Sequence, residues 1–179
     1  FERSVAGGWG TADIGGAWTV SGNQLQSLAV ENGRGAVTLA AGQSREMSLA
    51  TEPSLSTQAA VSFRLTSKPS AVGDSHVEVI GRKVANDTYR AKLVVSSNGA
   101  LRTDVQRIAG AASTIASATV PGLVVEPGVD YRVKFEVQGA SPTTYRAKVW
   151  PAAATEPTAW LLSGTDTSAP LQARGATGL

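Results

Sequence analysis

The chain has 179 residues, with sixteen lysines and arginines against fourteen aspartates and glutamates, and no cysteine. This length suits one all-β domain with a sizeable core, and the absence of cysteine excludes disulfides and thiolate chemistry. A formal net charge of +2, without any run of like charges, argues against a nucleic-acid partner. No apolar run approaches the roughly 18 residues of a membrane span, so we expect no membrane insertion.

In chain order, the first 18 residues hold five glycines and two tryptophans, Trp9 and Trp18. Because glycine permits positive φ and close backbone approach, this stretch predicts a loop folded over its own tryptophans. Short strands bounded by glycine, asparagine or polar clusters are predicted at residues 18–20, 25–30, 36–39, 47–49 and 59–65. Further strands are predicted at 76–83, 89–95, 101–108 and 113–120, with an Asn98-Gly99 hairpin turn before the third of these.

Three segments, 89–93, 131–135 and 145–149, share the pattern Tyr-Arg-x-Lys followed by an apolar residue. Alternation with period two places Tyr89, Tyr131 and Tyr145 on the inner face of their strands and the arginines and lysines on the outer face. The last two segments are joined by residues 138–144. They predict an antiparallel hairpin in the middle of one sheet, with its tyrosine face covered by a second sheet.

After Trp150, residues 151–157 are the one place where a helical turn could form, residues 160–163 predict a strand and residues 169–178 a loop. About twelve short strands without a convincing helix favour an all-β, two-sheet antiparallel sandwich or jelly roll, with a barrel as the alternative. We expect residues 1–179 to form a single domain. Because the sequence starts at Phe1 and not at a methionine, we expect it to be one module of a longer protein.

Several motifs, in their order along the chain, resemble one family. They are the glycine- and tryptophan-rich opening at 1–18, Ile80-Gly81-Arg82, Val120-Pro121-Gly122-Leu123, and Tyr145 to Trp150 followed by Glu156-Pro157-x-x-Trp160. Together they resemble a module common in actinobacterial secreted multidomain proteins and actinophage tail proteins. The resemblance implies a concanavalin A-like (laminin G-like) jelly roll. It also implies a carbohydrate-binding or adhesive role outside the cell, at the cell surface or in a virion.

The end of the chain departs from that family pattern. The module typically continues past residues 173–179 into two more strands, the last of which pairs near the N-terminus. We therefore expect the C-terminal strands to be missing and an exposed sheet edge to be left, which another chain or domain would complete.

The basic residues of the three tyrosine segments are the first candidates for a binding site. If the strands are neighbours, they build one positive sheet face for a glycan or an anionic cell-surface polymer. The alternative is a solvated face that Glu78, Asp104 and Glu136 neutralise. The candidate ligand-binding cations are Arg82, Arg90, Lys92, Arg132, Lys134, Arg146 and Lys148, with Arg64 as a further flanking residue.

Tryptophans are the second group of candidates, because exposed indoles stack on sugar rings. Trp9 and Trp160 lie beside predicted loops and are the better candidates for exposure. We expect Trp18 and Trp150 to be buried, because a core of this size needs most of the chain's few aromatic residues.

Catalytic and metal-binding patterns are weak. Asp74, Ser75 and His76 are strand neighbours that point to opposite faces, which is poor geometry for a catalytic triad. Glu78 and Glu136 could share a face, but basic neighbours would keep both ionised, so we predict no enzyme. Asp13, Asn32, Asp74 and Asp87 could hold a structural calcium or cap turns, and no other cofactor is expected.

We therefore expect a non-catalytic carbohydrate-binding or adhesion module of an extracellular protein. The alternative is a structural or assembly domain of a phage tail or surface appendage, with its sheet edge completed by another chain. A glycoside hydrolase is the least favoured reading.

Overall fold

The computed structural model describes residues 3–71 and 73–179 and shows an all-β chain. The strands are β1 (Val5–Ala6), β2 (Thr19–Val20), β3 (Leu28–Glu31), β4 (Arg34–Val37), β5 (Met47–Ser54), β6 (Thr57–Phe63), β7 (Ser75–Val84), β8 (Asp87–Val95), β9 (Ala100–Ala109), β10 (Ala111–Val124), β11 (Tyr131–Gln138), β12 (Thr143–Pro151), β13 (Leu162–Asp166) and β14 (Gly175–Gly178). Within the described ranges the only helical elements are short 3₁₀ turns at Ser21–Asn23, Leu25–Ser27 and Ala169–Leu171. None of these helices is long and apolar enough to cross a membrane.

The strands form three antiparallel sheets. The largest has seven strands in the order β10-β9-β8-β7-β14-β5-β2, the second has the order β13-β12-β11-β6, and a small sheet has the order β1-β3-β4. The predicted hairpin of β11 and β12 is confirmed: these are the two central strands of the four-stranded sheet, and Tyr131 to Gln138 pair with Pro151 to Thr144. The Asn98-Gly99 turn likewise connects β8 to β9.

The main core lies between the seven-stranded and the four-stranded sheets, which pack together as a β-sandwich. Tyr89, Tyr131 and Tyr145 expose 0%, 3% and 4% of their surface, so the prediction that all three tyrosines face inward is confirmed. They pack in one cluster with buried valine, leucine and phenylalanine side chains from both sheets. The period-two pattern identified these strands because alternate side chains must leave water for the sandwich to form.

A second, smaller core joins the N-terminal segment to the edge of the large sheet. Trp9, Leu28, Val30 and Met47 are buried there, and the rings of Trp9 and Trp18 meet edge to face with their centroids 5.3 Å apart. The prediction of a loop folded over its own tryptophans is confirmed in this contact, although the short strand β1 lies within it.

Residues 169–178 are not the predicted loop. They contain a 3₁₀ turn and β14, which lies inside the large sheet between β7 and β5. Leu179 exchanges two backbone hydrogen bonds of 2.7 Å with Met47. A Cβ on Gly178 would lie 2.3 Å from the Met47 carbonyl oxygen, so this strand needs small residues. It therefore lacks the alternating large apolar side chains by which the other strands were predicted.

Candidate functional site

The basic residues of the three tyrosine segments do not form one surface, so that prediction is wrong. β8 belongs to the seven-stranded sheet, whereas β11 and β12 belong to the four-stranded sheet. Arg90 and Lys92 therefore lie on the outer face of one sheet, and the remaining four cations on the outer face of the other. The outer faces of a sandwich point in opposite directions. The outer face of β11 and β12 carries Arg132, Lys134, Arg146 and Lys148.

Arg82 was also predicted as a ligand-binding residue, and this too is wrong, because only 1% of its surface is exposed. The pairing of β7 with β8 shifts register between Ile80 and Arg82, and this bulge turns the arginine toward the core. Its guanidinium donates to Thr143 Oγ1 and to the Leu171 and Gly139 carbonyls at 2.8 Å each. Burial lowers the pKa of Arg82.

On the outer face of the seven-stranded sheet, carboxylates interleave with the cations and neutralise them. Arg90 lies 2.6 Å from Glu78, and Arg102 donates to Asp104 at 3.0 Å. Asp104 is 3% exposed and also accepts a hydrogen bond of 2.6 Å from Ser117. Burial alone would raise the pKa of Asp104, but the hydrogen bonds from Arg102 and Ser117 outweigh it and lower the pKa. The arginines of this face are therefore neutralised by carboxylates of the same sheet.

The outer face of the four-stranded sheet has a different arrangement. Lys134 and Lys148 lie directly opposite each other in the β11–β12 register. One carboxylate oxygen of Glu156, which belongs to the segment between β12 and β13, lies 2.6 Å from Lys134 Nζ and 2.7 Å from Lys148 Nζ. The hydrogen bonds from Lys134 and Lys148 lower the pKa of Glu156. Arg146 pairs with Glu136 at 2.6 Å.

Trp160 stands beside these cations. It is half-buried, with Lys148 Nζ 4.6 Å and Arg146 Cζ 5.0 Å from its ring centroid, so both cations lie within cation–π range. Trp160 is therefore the one predicted stacking residue that lies on a sheet face. Arg132 lies on β11, the strand next to the β12 of Arg146 and Lys148. It is exposed, and among the residues described no ion pair involves it.

Two of the other three tryptophans are buried. Trp9 is 4% exposed and donates its indole N–H to the Ala36 carbonyl at 3.2 Å, so its predicted exposure is wrong. Its ring packs with Leu28, Val30 and Met47 in the smaller core, which holds the loop inward. Trp150 is 4% exposed, as predicted, whereas Trp18 is only half-buried.

A shallow cleft of about 290 Å³ opens at the edge of the sandwich beside Trp150. Residues 120–123 of β10 form one wall, and residues 149–157 form the other. β13 pairs only with residues 143–147 of β12, so the second half of β12 borders this cleft. Prolines and the indole make the lining mainly apolar.

The candidate acids do not converge. Glu78 and Glu136 lie on the outer faces of different sheets, so the expectation that they could share a face is wrong. His76 lies at the exposed start of β7, where partial burial and the charge of Lys92 lower its pKa. Within residues 3–71 and 73–179, no group of three or more histidine or acidic side chains could hold a metal ion. Of the four calcium candidates, Asp87 accepts a hydrogen bond from the Gly110 N–H at 3.1 Å and so caps a turn.

Comparison of the chain with protein families, with curated proteins and with solved structures gives no match.

Proposed function

We propose that this chain is a non-catalytic carbohydrate-binding or adhesion module whose binding surface is the outer face of the four-stranded sheet. The observation that carries the proposal is Trp160, an indole held by Arg146 and Lys148 on the face that also carries the exposed Arg132. A flat aromatic ring together with several N–H donors is the combination that binds the apolar face and the hydroxyls of a sugar. The same proposal includes jelly-roll connectivity for the sandwich and a location outside the cell or in a virion, both of which derive from the sequence resemblance.

The contrast between the two outer faces supports this choice. On the seven-stranded sheet, Glu78 and Asp104 belong to the strands themselves and engage their arginines within the sheet. On the four-stranded sheet, Arg132 is exposed, and the carboxylate between Lys134 and Lys148 comes from a connecting segment. The second face therefore has one exposed guanidinium without an ion pair among the described residues, and two ammonium groups whose counter-charge is not part of a strand.

A glycan panel with purified protein tests the proposal. Trp160→Ala and Arg132→Ala should each weaken binding to the glycans that the wild type retains, the tryptophan change by about tenfold or more. Arg102→Ala, on the opposite outer face, is the control and should bind like the wild type. A wild-type protein that binds no glycan, or a Trp160→Ala protein with full affinity, would rule out this surface.

A second candidate, an assembly domain, is favoured by the edge strand β10. It runs over 14 residues, from Ala111 to Val124, and carries no charged residue; among the described strands it pairs with β9 alone. Edge strands in monomers are normally protected by charges, prolines or bulges. β10 contains Pro121 and two register shifts, but its residues 111–119 carry no charge and no proline, so this part suits antiparallel pairing with a second copy of the chain. Sedimentation should then show a dimer that Thr119→Lys converts to monomer, and a wild type that stays monomeric at every concentration would exclude self-pairing.

A further inference from the structure

The opposed lysines of the four-stranded sheet require an anion between them. Lys134 and Lys148 are direct cross-strand partners, and like charges in this register repel each other. Their side chains are only 18% and 8% exposed, so water screens the repulsion incompletely. One oxygen of Glu156 bridges both ammonium groups and supplies the compensating charge.

The group that supplies this charge belongs to an irregular segment. Backbone hydrogen bonds fix the chain at Ala154 and at Leu161. Between them Pro157 has no N–H, and the N–H groups of the other residues of 155–160 donate none to the backbone of the described structure. Side-chain contacts hold this segment instead: the Glu156 carboxylate, Trp160, and the Pro157 carbonyl that accepts from Lys148 at 2.6 Å. The Glu156 side chain is 40% exposed. The carboxylate side of this ion pair is thus open to solvent, so an external carboxylate can approach the same two ammonium groups and compete with Glu156.

From this arrangement we infer that Lys134 and Lys148 form a carboxylate subsite for an acidic sugar, and that the chain's own Glu156 occupies this subsite as an internal competitor. The inference rests on the proposed function, since it names the ligand class of the same surface. A uronate has its carboxylate on the sugar ring, so its ring can stack on Trp160 while the carboxylate reaches the two ammonium groups. Apart from Glu156, the only acidic side chain on the described outer face of β6, β11, β12 and β13 is Glu136, and it is paired with Arg146.

Galacturonate oligomers and the matching neutral galactose oligomers are the probes. In isothermal titration, Glu156→Gln should bind the acidic oligomers about five- to tenfold more tightly than the wild type, because the competitor is gone. Affinity for the neutral oligomers should not change. Lys134→Gln should lose most of the preference for acidic over neutral oligomers.

The matched controls come from a second exposed pair, Lys68 and Glu126, whose atoms lie 3.0 Å apart. Glu126→Gln and Lys68→Gln change the net charge by the same amounts as the two test variants, so they report the long-range effect of charge alone. Both should behave like the wild type. If Glu156→Gln gains no more affinity than Glu126→Gln, the internal-competitor inference is wrong, even where the wild type binds glycans.

The failure of the proposed function has a different signature. In that case Trp160→Ala leaves binding to acidic and neutral oligomers unchanged, whatever the result at Glu156. A third result is that Glu156→Gln, and not the wild type, binds the galacturonate monomer as tightly as the oligomers. This result would support the subsite but assign it to a small carboxylate and not to a polymer. Absence of all binding in every variant would overturn both proposals.

Discussion

Nη1 of Arg82 lies 2.8 Å from Oγ1 of Thr143, and this buried hydrogen bond joins β7 of the large sheet to β12 of the facing sheet. The other partners of the guanidinium are backbone carbonyls, Leu171 and Gly139 among them. Arg82 therefore connects both sheets to the 3₁₀ turn that precedes β14.

Replacement of Arg82 by methionine should strongly destabilise the protein. The change removes the donor to Thr143 Oγ1 and to the buried Leu171 carbonyl, which should cost about 3–5 kcal/mol in the free energy of unfolding. Urea denaturation measures the loss. Arg132→Met is the control, because an exposed arginine should change stability by no more than about 0.5 kcal/mol. Equal losses in the two variants would contradict the structural role of Arg82.

Gly81 should not tolerate a side chain. A Cβ at this position would lie 2.5 Å from Val137 Cγ2 and 2.9 Å from Phe135 Cδ1, in the fully packed space between the sheets. Gly81→Ala should therefore destabilise the fold by about 1–3 kcal/mol through overpacking. Gly73→Ala is the matched control, because a Cβ there would meet no atom of the described residues within 4 Å beyond its chain neighbours. A shift in the thermal midpoint of Gly73→Ala as large as that of Gly81→Ala would count against this explanation.

The hydroxyl of Tyr89 should matter more than that of Tyr145. Tyr89 donates to Asp166 at 2.6 Å and accepts from Gln172 at 3.2 Å, whereas Tyr145 donates to the Ile115 carbonyl at 3.3 Å. Tyr89→Phe leaves a nearly buried carboxylate with one donor fewer, and should cost about 1–2 kcal/mol by urea denaturation. Tyr145→Phe should cost less. The reverse order would show that this polar network does not stabilise the sandwich.

Asp130 should make part of the stability depend on pH. Hydrogen bonds from Arg64 and Arg34 lower its pKa from 3.8 to about 2. Because the folded-state pKa is the lower one, the ionised carboxylate stabilises the fold fully above about pH 4, and this contribution disappears as the pH falls toward about 2.

The measurement is the difference in unfolding free energy between the wild type and Asp130→Asn. Subtraction removes the effect of other carboxylates that titrate in the same range, such as Asp104 and Asp166. The difference should stay constant above about pH 5 and shrink between about pH 4 and pH 2. A difference that does not vary with pH would mean that the pairing with Arg34 and Arg64 contributes nothing to stability.

The sequence predicted most of the long strands correctly, because alternation along β8, β11 and β12 is a local property. It could not predict which sheet each strand joins, since pairing partners are distant in sequence, and this is why the cations were wrongly placed on one face. Arg82 faces inward because one bulge near Gly81 shifts the alternation, and a shift of a single residue moves a side chain to the other face.

The candidate site was predicted only in part. Trp160 was a stacking candidate from its position beside a loop, and it does lie on a sheet face. The role of Glu156 was missed, because nothing in the local pattern shows that the segment after Pro151 folds back over Lys134. The signal that could have identified it is the Lys134–Lys148 register, which follows from the hairpin and leaves two like charges without a counterion.

The position of β14 has a consequence for how the molecule reaches its native state. During synthesis on a ribosome, β5 and β7 emerge long before the Gly175–Gly178 segment that must lie between them. Until that segment arrives, the two strands expose unpaired backbone edges, which is the condition under which nascent chains associate with one another. Completion of the large sheet is thus a late and long-range event, and slow folding is expected from so high a contact order.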